Sequence, residues 1–117
     1  MNLNIDYEKS LDFGHCESMN EAREKLSQIT NLLNQVIAVR QDSKKAIFEA
    51  LAAHPGEKIH KLSWENKMVR LAELSGTSEL VNLWQDADTA YRRLKNKQDQ
   101  IVEDLWTLKK IAEVTPR

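Results

Sequence analysis

The sequence predicts an all-α fold: a long antiparallel helical hairpin of the coiled-coil type, with a shorter middle helix as its third element. The first observation is that 117 residues contain only three glycines and two prolines, which leaves few points at which a helix must end. The second is that apolar residues recur at alternating steps of three and four, a spacing that keeps them on one helical face. The length suffices for one core without disulfides, so we expect a single helical domain over residues 1–117.

Helix one is predicted over residues 18–53, after an extended N-terminal arm at 1–17. Ser18 and Glu21 have the spacing of a capping box, in which both side chains accept hydrogen bonds from backbone amides at the helix start. Pro55 ends the helix because it lacks an amide hydrogen and disfavours helical backbone before it. The apolar seam of this helix begins with Ala22, Leu26, Ile29, Leu33 and Val36.

The middle helix is predicted over 57–75, starting either at Glu57 or after Ser63 as N-cap, and helix three over 77–115. Gly76 between them suits a helix C-terminal cap. Helix three carries a seven-residue repeat that is typical of coiled-coil packing. Its seam consists of Leu80, Trp84, Ala87, Tyr91, Leu94, Gln98, Ile101, Leu105, Leu108 and Ala112.

Two six-residue polar blocks interrupt the long helices, RQDSKK at 40–45 and KNKQDQ at 95–100. An antiparallel pairing in which facing residue numbers add to about 140 would set the blocks side by side, with Arg40 near Gln98 and Asp99. Such a polar layer could fix the register of the two helices at some cost in stability. Alternatively, the layer could expose charges to a partner. The sequence leaves both interpretations open.

The apolar faces of helices one and three are wider than a two-helix seam requires, so we expect either the N-terminal arm or another copy of the chain to cover them. In the arm, Leu3, Ile5 and Tyr7 alternate at period two, as in an extended segment. The predicted self-association residues are Val102, Trp106, Ile29, Leu32 and Leu33. The predicted partner-binding residues are Arg40, Lys44, Lys45, Arg92, Arg93, Lys95, Lys97 and Gln98.

Candidate catalytic and metal-binding residues are few. Glu57 and His60 have a Glu-x-x-His spacing, but the second copy that a di-iron bundle needs is absent from the sequence. His15 and Cys16 lack the further ligands of a zinc site, and one cysteine cannot form an internal disulfide. We therefore expect no enzyme activity, no cofactor and no metal. The sequence also contains no signal peptide or membrane-spanning run, which predicts a cytoplasmic protein.

The stretch 68–85, MVRLAELSGTSELVNLWQ, resembles the helix-turn-helix of DNA-binding proteins, with Gly76 in the turn. The resemblance implies that the start of helix three would be a recognition helix. That family keeps apolar residues six and nine positions after the glycine, where this chain has Asn82 and Gln85. Val81 and Trp84 fall one position early, which rotates the packing face by about 100°.

The function that the sequence predicts is a non-catalytic protein–protein interaction module. We expect a small adaptor or inhibitor, an accessory factor that presents helix faces to another protein and self-associates as a homo-oligomer. With 17 basic and 18 acidic residues the chain has no general attraction for nucleic acid or an anionic membrane. DNA binding through the helix-turn-helix is the alternative.

Overall fold

The chain is helical over most of its length. The computed structural model describes residue 3 and residues 5–53, 61–73 and 78–114, and these contain three α-helices, one 3₁₀ helix and no strand. The helices are α1 (Met19–Ala52), α2 (Trp64–Glu73) and α3 (Ser78–Val114), and the 3₁₀ helix is Glu8–Leu11. Helix α1 packs against α3, so the predicted all-α hairpin with a shorter middle helix is confirmed.

The helix starts follow from two serine caps. Ser18 Oγ accepts a hydrogen bond from the Glu21 amide at 3.1 Å, and the Glu21 carboxylate accepts one from the Glu17 amide at 3.2 Å. Ser63 Oγ accepts from the Asn66 amide at 3.4 Å, so α2 begins after Ser63. The predicted Glu57 start, the Pro55 stop and the Gly76 cap lie outside the described residues.

The described residues divide into two compact units. The first contains residues 1–4 and 37–89, which include the end of α1, all of α2 and the start of α3. Its core residues come from all three helices, and they are Ile47, Leu51, Met68, Leu71 and Val81. The rings of Trp64 and Trp84 pack edge to face against one another at this core, with centroids 5.3 Å apart. Helix α2 therefore completes the first unit as its third helix.

The second unit contains residues 5–36 and 90–117, which include the arm from residue 5 onward, the start of α1 and the rest of α3. Its buried apolar residues are Cys16, Ala22, Ile29, Leu33, Val36, Ala90, Leu94 and Ile101. The arm is not extended throughout, because the 3₁₀ helix Glu8–Leu11 follows Tyr7. The alternation of apolar residues stops at Tyr7, and the polar residues after it form a turn that is closed by the Ser10 amide donating to the Tyr7 carbonyl at 3.0 Å.

The register of α1 against α3 differs from the predicted one. In the first unit Arg40 Nη2 lies 2.9 Å from Asp88 Oδ1, and in the second Gln98 donates to Thr30 Oγ1 at 3.2 Å. Both pairs of residue numbers add to 128 (40 with 88, 98 with 30), not to about 140. The predicted pairing of Arg40 with Gln98 and Asp99 is therefore wrong. The physical reason lies in the first unit, where α2 packs against both the end of α1 and the start of α3 in one core.

Candidate interaction surfaces

In the polar block 40–45, Arg40 and Ser43 make their contacts inside the first unit. The Asp88 side chain that Arg40 contacts is 12 % exposed, whereas the Arg40 side chain is 36 % exposed. Ser43 is buried, and its hydroxyl donates to the Arg40 carbonyl of the preceding turn at 3.0 Å. Arg40 and Ser43 occupy the seam positions of α1, and both side chains make polar contacts there. The seam therefore continues through the block with polar instead of apolar contacts.

Lys44 and Lys45 lie on an exposed face of the same helix. Lys44 Nζ lies 5.2 Å from the centre of the Trp64 ring. Phe48, which is half exposed, packs on the same ring with centroids 5.5 Å apart. A shallow groove on this face is lined by Gln41, Lys44, Lys45, Phe48, Glu49 and Ala52. Both predicted lysines therefore border a groove with an exposed aromatic side chain.

The basic residues of α3 contact other parts of the second unit. Lys95 donates to Gln98 Oε1 at 2.8 Å and lies 3.7 Å from Asp99 Oδ1. Arg93 is 3.8 Å from a Glu8 carboxylate oxygen and stacks over the Tyr7 ring at 5.6 Å.

Arg92 and Lys97 complete the predicted set on α3. Arg92 is exposed on the helix surface. Lys97 donates to the Phe13 carbonyl and lies 4.1 Å from the centre of the Phe13 ring. Lys25 of α1 is 4.9 Å from the centre of the same ring, so two cations hold one aromatic side chain of the arm. Two of the predicted partner-binding residues, Arg93 and Lys97, thus anchor the chain's own N-terminal arm.

Asp104 is a second anchor of the arm. Its carboxylate accepts a hydrogen bond from the Cys16 amide at 2.9 Å, and its other oxygen lies 2.7 Å from His15 Nδ1. Burial alone would raise the pKa of Asp104, but these hydrogen bonds and the neighbouring imidazole outweigh it, and the pKa lies below its usual value. Burial raises the pKa of the Cys16 thiol, and the charges of Glu21 and Asp104 raise it further.

These two anchors, Phe13 and Asp104, were not predicted from the sequence. Asp104 stands in the segment IVEDLW, where a carboxylate beside apolar residues is a weak signal of burial, but its partner is 88 residues away along the chain. His15 and Cys16 hold the arm against α3. The part of the chain that the structure describes contains no group of three or more residues that could hold a metal ion.

Residues 13–16 of the arm lie on one flank of α3, and the side chains on the other flank are exposed. It is held by Lys97, Gln100 and Asp104, whose positions on the helix are roughly 180° from those of Val102 and Trp106 at about 100° per residue. Val102 is 44 % exposed and Trp106 is 62 % exposed. We call this exposed surface the Trp106 face. It consists of Val102, Trp106, Lys109, Lys110 and Glu113, and Leu105 lies at its edge. The part of the arm that the structure describes therefore leaves the Trp106 face exposed.

The predicted self-association residues do not share one surface. Val102 and Trp106 are exposed, as such a surface requires. Ile29 and Leu33 are buried in the core of the second unit, so they are unavailable to another chain without unfolding. Leu32 is half buried on α1. The candidate surface is thus reduced to the face on α3, and the assignment of Ile29 and Leu33 to it is corrected.

In the stretch that resembles a helix-turn-helix, the residues that pack against the core are those one position earlier than the motif requires. Val81 is buried and Trp84 is half buried against the core of the first unit, whereas Asn82 and Gln85 are exposed. The turn that contains Gly76 lies outside the described residues. The face that a recognition helix would present to DNA is therefore rotated from the position that the motif requires.

Every helix in the described ranges is too short or too polar to span a membrane. No protein-family model, curated protein or solved structure matches the chain.

Proposed function

We propose that the protein is a non-catalytic protein–protein interaction module, an adaptor or inhibitor that binds another protein chain through the Trp106 face. The observation that carries this proposal is the exposure of Trp106 and Val102 on a flank of α3 that the arm leaves open. Tryptophan is enriched among the residues that dominate binding energy at interfaces, and exposed apolar patches often mark such interfaces.

The side chain of Trp106 is suited to such a role because part of its environment is already arranged. Lys110 Nζ lies 4.8 Å from the centre of the Trp106 ring, so a cation rests on one part of the aromatic surface. A shallow concavity of about 280 Å³ beside the ring is bordered by Val102, Leu105 and Lys109. A partner side chain could fill this concavity while the charged residues remain at its rim, an arrangement that is common at protein interfaces.

Two further observations support a non-catalytic role. The carboxylate of Asp104 is engaged by the arm, and the buried thiol of Cys16 has a raised pKa, which disfavours the nucleophilic thiolate. DNA binding through residues 68–85 stays the alternative. It has less support, because the exposed side chains at the start of α3 include Glu79 and Asp86, which repel phosphate.

The proposal is tested by affinity capture from the native host with the wild-type chain, Trp106→Ser and the matched control Val69→Ser. Val69 is 60 % exposed on α2, so the control removes a similarly exposed apolar side chain from a different surface. We expect the wild type and Val69→Ser to retain the same proteins and Trp106→Ser to lose them. Circular dichroism would confirm that all three are folded. Equal capture by all three chains would contradict the proposal.

A further inference from the structure

We infer that a second copy of this chain occupies the Trp106 face, with the two α3 helices antiparallel about a two-fold axis close to Trp106. The inference rests on the proposed function, since it names the partner of the same surface. It is carried by the distribution of charge along the edge of that surface, together with the exposure of its apolar centre.

Glu103 and Lys110 form one edge of the Trp106 face. They are seven residues apart, so they differ by only about 20° around the helix and flank Trp106 on either side along its length. Both side chains are exposed, and they carry opposite charges. The edge is therefore acidic before Trp106 and basic after it.

Because the charge changes sign along this edge, the edge can pair with the same edge of a second copy that runs in the opposite direction. A two-fold axis brings the same patch of both subunits together. When the helices are antiparallel, each edge meets its own copy in the reverse direction, so Glu103 of one copy faces Lys110 of the other, and the pair occurs twice. A parallel pairing would bring opposite edges of the face together and would lose both pairs. The charges thus favour the antiparallel arrangement, with Trp106 at its centre and Val102 one helical turn away.

Two features of the second unit agree with this arrangement. The arm is fastened to the opposite flank of α3 through Phe13 and Cys16, so it does not compete for the face. Asp99, an acidic residue nearer the start of the face, lies 3.7 Å from Lys95 of its own chain, which offsets its charge. With few large apolar residues in each copy, we expect an interface below the standard size and a dissociation constant on the order of micromolar.

The decisive experiment is charge exchange with the full chain, followed by sedimentation or light scattering at tens of micromolar. We expect the wild type to be a dimer. Glu103→Lys or Lys110→Glu alone should raise the dissociation constant at least about tenfold, because like charges then face each other twice. The double variant should dimerise like the wild type, and an equimolar mixture of the two single variants should form a mixed dimer.

Restoration cannot arise within one chain, because Glu103 and Lys110 are separated by about 10 Å along the helix at 1.5 Å per residue. A wild-type monomer would overturn the inference, as would single variants that dimerise normally or weakened variants that neither the double change nor mixing restores. None of these results decides the proposed function. That function is tested separately, by whether the chain captures a different protein and whether this capture requires Trp106. Loss of that capture in Trp106→Ser, together with a wild-type monomer, would identify a heterologous partner.

Discussion

The ion pair between Arg40 and Asp88 gives a prediction with a direction opposite to the one that a simple polar layer implies. Arg40→Leu should destabilise the protein. The Asp88 side chain is only 12 % exposed, so removal of the guanidinium leaves a largely buried carboxylate without this counter-charge. Breaking a fully buried ion pair costs about 3–5 kcal/mol, and since the Arg40 side chain is 36 % exposed we expect a smaller loss, about 2 kcal/mol.

Thermal unfolding followed by circular dichroism measures the effect. For a chain of this size a loss of about 2 kcal/mol lowers the Tm by roughly 8 °C. The double variant Arg40→Leu with Asp88→Leu is the matched control, because it removes both charges together and leaves neither one buried alone, and its stability should return to near the wild-type value. If Arg40→Leu alone were neutral or stabilising, the reasoning from the burial of Asp88 would be wrong.

Two further predictions concern the arm. The pKa of Asp104 lies below its ordinary value of 3.8, so its stabilising contribution is complete above that value and is lost as the pH falls through the lowered pKa. Asp104→Asn should therefore lower the urea midpoint of unfolding at pH 7, by the equivalent of about 2 kcal/mol. The variant should also lose less stability than the wild type as the pH falls, and an unchanged loss in acid would contradict the reasoning. Cys16 should react with a thiol reagent more slowly in the folded protein than in denaturant, because its thiol is buried and has a raised pKa, and Phe13→Ala should accelerate the reaction by loosening the arm. Equal rates for Phe13→Ala and the wild type would show that the ring does not hold the arm.

The helices could be predicted because their signals are local. Ser18 and Glu21 are three residues apart, and the seam residues recur within single turns, so the start of α1 and the buried positions Ile29 and Leu33 follow from adjacent sequence. The register could not be predicted in the same way. A seam that repeats every seven residues fits a partner helix at several offsets, and the observed offset depends on how α2 packs against Ile47 of α1 in the first unit.

The exposure of the candidate surface could be predicted in part for a related reason. Trp106 and Val102 belong to an excess of apolar residues on α3, and that excess is a property of the helix itself. The arm determines which charged residues of α3 remain exposed. Its contacts with Lys97 and Asp104 join residues more than 80 positions apart. A single sequence contains no local signal for contacts at such separation.

The attachment of the arm to α3 has a consequence for which substitutions the chain can tolerate. Three of its hydrogen bonds reach main-chain atoms of the arm, the carbonyls of Phe13 and Gly14 and the amide of Cys16. Any residue other than proline supplies the same amide, and every residue supplies a carbonyl. At Gly14 the space around an added Cβ is empty to 4 Å. The helix therefore recognises the backbone path of the arm as well as the Phe13 and His15 side chains, and Gly14 can be replaced while its carbonyl keeps the same hydrogen bond.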